Sequence, residues 1–130
     1  MSLTLVEARE FADRAIERAR GARLHVSVAV LNALGELVQL DRMDGAPSLT
    51  SDVAEAKART ALNLQKPTSE AAREFAHDPG RLALLEKVAR FSLVPLPGGF
   101  PIVRDGVVVG AIGVSGADAK DEEIATAALR

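Results

Sequence analysis

Gly98–Gly116 reads GGFPIVRDGVVVGAIGVSG, a largely apolar segment broken by a single turn signal. It holds two apolar arms, Phe100–Arg104 and Val107–Ser115, joined by Asp105-Gly106. Such a dipeptide suits a two-residue hairpin, because a type I′ turn needs positive φ at both central positions. In the second arm Val107, Val109 and Ala111 alternate with Val108, Ile112 and Val114. Both faces are apolar, which predicts a central strand covered on both sides. Gly110 and Gly113 interrupt it, and a strand glycine marks close approach of a helix or a ligand. The spacing Gly110-x-x-Gly113-x-x-Gly116 is not a dinucleotide fingerprint. That fingerprint needs glycines between a strand and the helix it opens, whereas the first two here lie inside the strand.

A second hairpin is expected upstream. Leu24–Leu31 reads as a strand, Asn32-Ala-Leu-Gly35 as its turn and Glu36–Arg42 as the return strand. Thr4-x-x-Glu7 is a capping-box pattern. It opens a helix on which Leu5, Ala8, Ala12, Ala15, Ile16 and Ala19 recur at helical spacing, with Gly21 as its stop. A helix is expected from about Ser48 to Gln65, and Lys66-Pro67 ends it. Short helices follow over Thr68–Ala76 and Arg81–Ala89, and a last one starts at Asp118. Hairpins alternating with helices argue for an antiparallel sheet carrying helices, an α+β fold, and against a doubly wound parallel sheet. No linker interrupts the chain, so residues 1–130 are expected to form one domain.

The totals exclude several classes. There is no cysteine, which removes disulfides, thiolate catalysis and thiolate-bound metals and fits a reducing compartment. A net charge of −2 gives no electrostatic case for nucleic acid. No apolar run approaches the roughly 20 residues of a membrane span. The opening MSLTLVEAREF lacks the basic-then-apolar pattern of a signal peptide, so a cytoplasmic chain without membrane or nucleic-acid partners is expected. Apolar residues make up 48% but aromatics only 3%, so small side chains carry the core, with surplus apolar surface for a subunit interface.

Few residues carry obvious chemistry. His77 sits in a polar His-Asp-Pro-Gly turn, facing solvent. His25 is placed on a strand face with the small residues Ser27 and Ala29, where an imidazole can ligate a metal or move a proton. A hydrogen-bonded strand histidine is the plainer reading. No second ligand is spaced for zinc, but one axial bond to a large cofactor needs only one imidazole. Lys57 and Thr60 lie one turn apart on a largely apolar stripe. Lys57 either reaches a carboxylate or snorkels to water. Asp121, Glu122 and Glu123 read as carboxylates complementing a helix N-terminus rather than as a cation site. Asp52 and Glu55, at i and i+3, read as an exposed helix face.

Four blocks of the sequence together resemble a known family. They are LTLVEAREFADRAIERAR (3–20), HVSVAVLNALGELVQLDRMDGAP (25–47), DVAEAKARTA (52–61) and LPGGFPIVRDGVVVGAIGVSGADAKDEEIA (96–125). In this order they look like the GlcG/HbpS-type family, the domain labelled haem-degrading that also ends PduO-type cobalamin adenosyltransferases. The resemblance implies an α-β-α sandwich of profilin- or roadblock-like type, with a central antiparallel sheet of about five strands. It also implies a homo-oligomer, commonly an octamer built from dimers. Haem binding in some members puts a candidate iron ligand at His25. In that reading Ser27, Gly98, Gly99 and Phe100 leave space and an apolar wall, and Lys57, beside Thr60, neutralises a propionate. Two alternatives stand beside it. One is an enzyme acting on a small organic acid or catabolic intermediate at a subunit interface, with His25 and Lys57 as its first catalytic candidates. The other is a non-catalytic accessory protein of a catabolic pathway.

Overall fold

A computed structural model describes residues 2–130. Thr4 and Glu7 make the expected capping box: the Glu7 N–H donates to the Thr4 hydroxyl at 3.2 Å, and the Thr4 N–H donates to the Glu7 carboxylate at 3.0 Å. Helix α1 (Leu5–Gly21) follows, with Ala8, Ala12, Ala15 and Ala19 fully buried. It ends at Gly21 as expected, but the left-handed residue lies further on. Arg23, not Gly21, takes the left-handed conformation, with φ 59°, and the Leu24 N–H turns back to the Ala19 carbonyl at 2.8 Å.

The cap is pH-sensitive. The Thr4 N–H, and then the Arg104 guanidinium, hold the Glu7 carboxyl below the ordinary glutamate value. A depressed folded value stabilises the cap above the unfolded value, and that contribution is lost as pH falls through the folded one. Hydrogen exchange at the Thr4 amide, whose acceptor is the Glu7 carboxylate, should therefore accelerate relative to Ala12 as pH drops below about 4. An unchanged ratio would mean that the box does not hold the first turn in solution.

Four strands form one antiparallel sheet: β1 (Ser27–Asn32), β2 (Leu37–Arg42), β3 (Gly99–Arg104) and β4 (Val107–Ser115), ordered β2-β1-β4-β3. Asp105 and Gly106 turn the β3–β4 hairpin with φ of 51° and 76°, as a type I′ turn requires. The sheet has four strands among the described residues rather than about five. The approach to β3 carries Pro95 and Pro97, which have no N–H to offer a ladder. The first strand also starts later than expected, at Ser27, which leaves His25 outside the sheet.

A bulge corrects the expected alternation in β4. Ile102 pairs with Gly110 but Val103 pairs with Val108, so Val109 is the extra residue. It therefore joins Ile112 and Val114 in one core instead of facing away from them. Its carbonyl, released from the ladder, accepts the Leu3 N–H at 3.2 Å.

The remaining helices are α2 (Leu49–Leu64), α3 (Thr68–Ala76), α4 (Pro79–Val88) and α5 (Asp121–Ala128). On one sheet face Val26, Val28, Val30, Ile112 and Val114 pack with the alanines of α1 and with Ile124, Ala125 and Ala128 of α5. Helix α2 covers the other face, which completes the α-β-α sandwich. Its approach is set by glycine. A Cβ on Gly113 would lie 2.0 Å from the Ala54 carbonyl oxygen, and one on the cross-strand partner Gly99 would lie 2.5 Å from that of Lys57. Ala29, Gly113 and Gly99 thus form a flat row under the α2 backbone. That row fixes where Lys57 meets the end of β4. No helix among the described residues is long and apolar enough to cross a membrane.

Candidate functional site

The expected site residues do not converge on one place. His25 is exposed and lies between the end of α1 and the start of β1. It lines a cleft of about 570 Å³ with Ile16, Arg20 and Leu24 on one side and Arg42 and Met43 on the other, and Arg23 and Asp44 complete the rim. The turn after β2 passes beside the imidazole: a Cβ on Gly45 would sit 3.4 Å from Nδ1, and Gly45 holds φ at 90°. The left-handed Arg23 brings a third arginine to this cleft. Its positive φ strains a non-glycine residue by roughly 1–2 kcal/mol, the kind of strain found at functional positions.

Ser27 faces the opposite side of the sheet. Its hydroxyl pairs with Thr50 at 2.8 Å and Ser51 at 3.2 Å, both on α2. His25 and Ser27 therefore share no face, because the chain has not yet entered the ladder at His25. Phe100 packs toward the core shared by α1 and α5, whereas Gly99 faces α2, as alternation along β3 dictates. The Thr60 hydroxyl donates to the Ala56 carbonyl at 2.7 Å and accepts the Val94 N–H at 3.0 Å, which pins the segment before β3 onto α2.

Lys57 neither snorkels nor faces His25. Its ammonium donates to Asp121 at 2.9 Å and to the Val114 carbonyl at 3.0 Å, with both side chains of the pair about 4% exposed. Gly98 closes over it, since a Cβ there would lie 3.1 Å from Nζ. Asp121 also accepts the Ala117 N–H at 2.8 Å. The acidic run at the start of α5 is thus dispersed among different partners: Asp121 holds Lys57, Glu122 accepts from Ser69 at 2.7 Å, and Glu123 meets Arg18. The Arg18 guanidinium holds the Glu123 carboxyl below its ordinary range. Glu55 pairs with Arg59 at 3.2 Å. Among the described residues no group of three or more His, Asp or Glu side chains is placed to hold a metal ion.

Two sets of residues at these places carry no pattern in the sequence. Arg20, Arg23, Arg42 and Met43 surround His25, but they come from a helix end, a turn and a strand end, with no spacing pattern to join them. Asp121 was legible only in principle: a lysine on an apolar stripe is rarely buried without a partner.

The first cleft combines cationic and apolar groups, with Asp44 as its one carboxylate. It offers one accessible imidazole, an apolar wall and three guanidinium groups, of which Arg20 also pairs with the exposed Glu17 at 3.6 Å and Arg42 also donates to the Ala46 carbonyl at 2.9 Å. These residues fit a haem.

Known proteins share this architecture. The chain is 37% identical over 99 residues to Protein GlcG of Escherichia coli K12, covering 76% of this chain and 70% of that protein. It is 28% identical over 130 residues to the corrinoid adenosyltransferase PduO of Salmonella typhimurium. That match takes in 99% of this chain but spans only 38% of PduO. A solved PduOC:heme complex superimposes with a TM-score of 0.88 at 30% identity, covering 99% of this chain and 94% of that one. The family model described as haem degrading protein HbpS-like matches residues 3–130, and the chain belongs to this HbpS-like family.

Proposed function

We propose that this protein binds haem, or a closely related tetrapyrrole, in the cleft at the end of α1, where the His25 imidazole would hold the iron. One observation carries the reading: the exposed imidazole lines an apolar-walled cleft of about 570 Å³ rimmed by Arg20, Arg23 and Arg42. That volume lies within the usual range for small-molecule sites. The arginines take the propionate-binding role expected of Lys57, which is committed to Asp121. Ile16, Leu24 and Met43 provide the wall expected of the Gly98–Phe100 loop. When bound, haem supplies an iron centre whose reactivity follows its axial ligand and the polarity around it. The chain's own part is to present His25, pair the carboxylates and cover one face of the ring. The heme-bound PduOC structure supports the reading through its matching fold.

The protein is proposed to act as a cytoplasmic homo-oligomer, an octamer in the family pattern. Helix α4 supports self-association: it buries no residue within the protomer and leaves Leu84 and Val88 exposed. Absence of cysteine fits a reducing compartment.

The test is a haemin titration of the wild-type protein and His25→Ala, followed by visible absorbance. The wild type should give a saturable Soret shift at one haem per cleft. His25→Ala should bind roughly tenfold or more weakly and lose the imidazole-ligated spectrum. Equal, non-saturating absorbance changes in both proteins would overturn the proposal.

A further inference from the structure

A second cleft, of about 500 Å³, opens over the Lys57–Asp121 pair on the other side of the sheet from the α1 core. Pro47, Val53, Leu96 and Pro97 give it apolar walls, and Ser115 and Asp118 add polar groups. Taking an ion pair out of water is costly, and a well-packed apolar pair often serves stability as well. Here the pair forms the polar floor of a largely apolar cleft, the usual composition of a small-ligand site.

We propose that this cleft binds a small neutral molecule with an aliphatic body and a carbonyl acceptor, such as an amide, ketone or aldehyde. The ammonium of Lys57 has three N–H donors, and two are taken by Asp121 and the Val114 carbonyl. Lys57 and Ser115 both line the cleft, and Gly98 flanks Nζ without a side chain, so the third donor is left to an occupant's oxygen. Charge selects the class. An anion would meet Asp118 at the rim and Asp121 at the floor, while the single cation is already neutralised. A cation reaching the floor would be desolvated against the ammonium. A neutral acceptor avoids both penalties and leaves its aliphatic part on Pro47, Val53, Leu96 and Pro97. This proposal does not rest on the haem reading, because the two clefts share no residue.

The probes are butyramide, butyrate and butylammonium, similar in length and differing in charge, titrated into the full-length isotope-labelled protein. Amide shifts at Gly98, Ser115 and Gly116 are followed. Butyramide should shift these amides saturably, and both charged analogues should bind roughly tenfold more weakly or not at all. Lys57→Met alone strands Asp121 and risks unfolding, so the variant is Lys57→Met with Asp121→Asn, which is neutral and keeps an acceptor for the Ala117 N–H. It should lose roughly tenfold in butyramide affinity while its remaining amide shifts stay native. Butyrate binding as tightly as butyramide would overturn the proposal. So would the absence of a saturable shift at these amides, or undiminished binding by the double variant.

Discussion

Gly113→Ala should destabilise the protein by about 3 kcal/mol or more, at or above the upper end of ordinary overpacking costs. The new methyl would sit 2.0 Å from the Ala54 carbonyl oxygen and 2.7 Å from the Ala58 nitrogen. Both are backbone atoms of α2, so no rotamer change relieves the clash. The helix must lift off the sheet, separating α2 from Gly99 and loosening the bed on which Lys57 lies. A fall in Tm on the order of 10 °C is expected for a domain of this size. Gly21→Ala serves as the control, because a Cβ there meets nothing within 4 Å and the residue is already helical. That variant should be neutral or slightly stabilising. Equal, small effects at both positions would show that α2 does not ride on Gly113.

Lys57→Met should cost about 3–5 kcal/mol, because it leaves Asp121 buried and charged without its partner. Asp121→Asn should cost a similar amount by stranding the ammonium. The double variant should be more stable than the sum of the two predicts, since neither charge remains and an asparagine oxygen can still accept the Ala117 N–H. The coupling in a double-mutant cycle, measured by urea unfolding, should reach about 2–3 kcal/mol. Additive effects would mean that the pair does not interact in solution. Exposed pairs such as Arg20–Glu17 provide the contrast: their side chains are mostly solvated, and such pairs contribute little.

Local chemistry was readable in the sequence and distant pairing was not. The Asp105-Gly106 turn and the Thr4–Glu7 box each close within a few residues, and both appear as expected. The alternation of β4 was misassigned at Val109 because a bulge is a property of two strands, and neither strand alone displays it. His25 was assigned to a strand because Val26, Val28 and Val30 continue its alternation backward. The ladder begins only at Ser27, where β4 ends opposite it. Lys57 and Asp121 lie 64 residues apart, so only the folded sheet reveals them as partners. The arginine-rimmed cleft went unread for the same reason, since α1, the following turn and β2 each contribute one or two groups.

Haem is proposed to sit against His25 at the end of α1. Paramagnetic broadening of amide signals by substoichiometric ferric haemin tests it most directly. Leu24, His25, Met43 and Asp44 should broaden first, while Gly98, Ser115 and Gly116 in the second cleft stay sharp. Broadening centred on the second cleft, or spread evenly over the exposed apolar surface of α4, would contradict it.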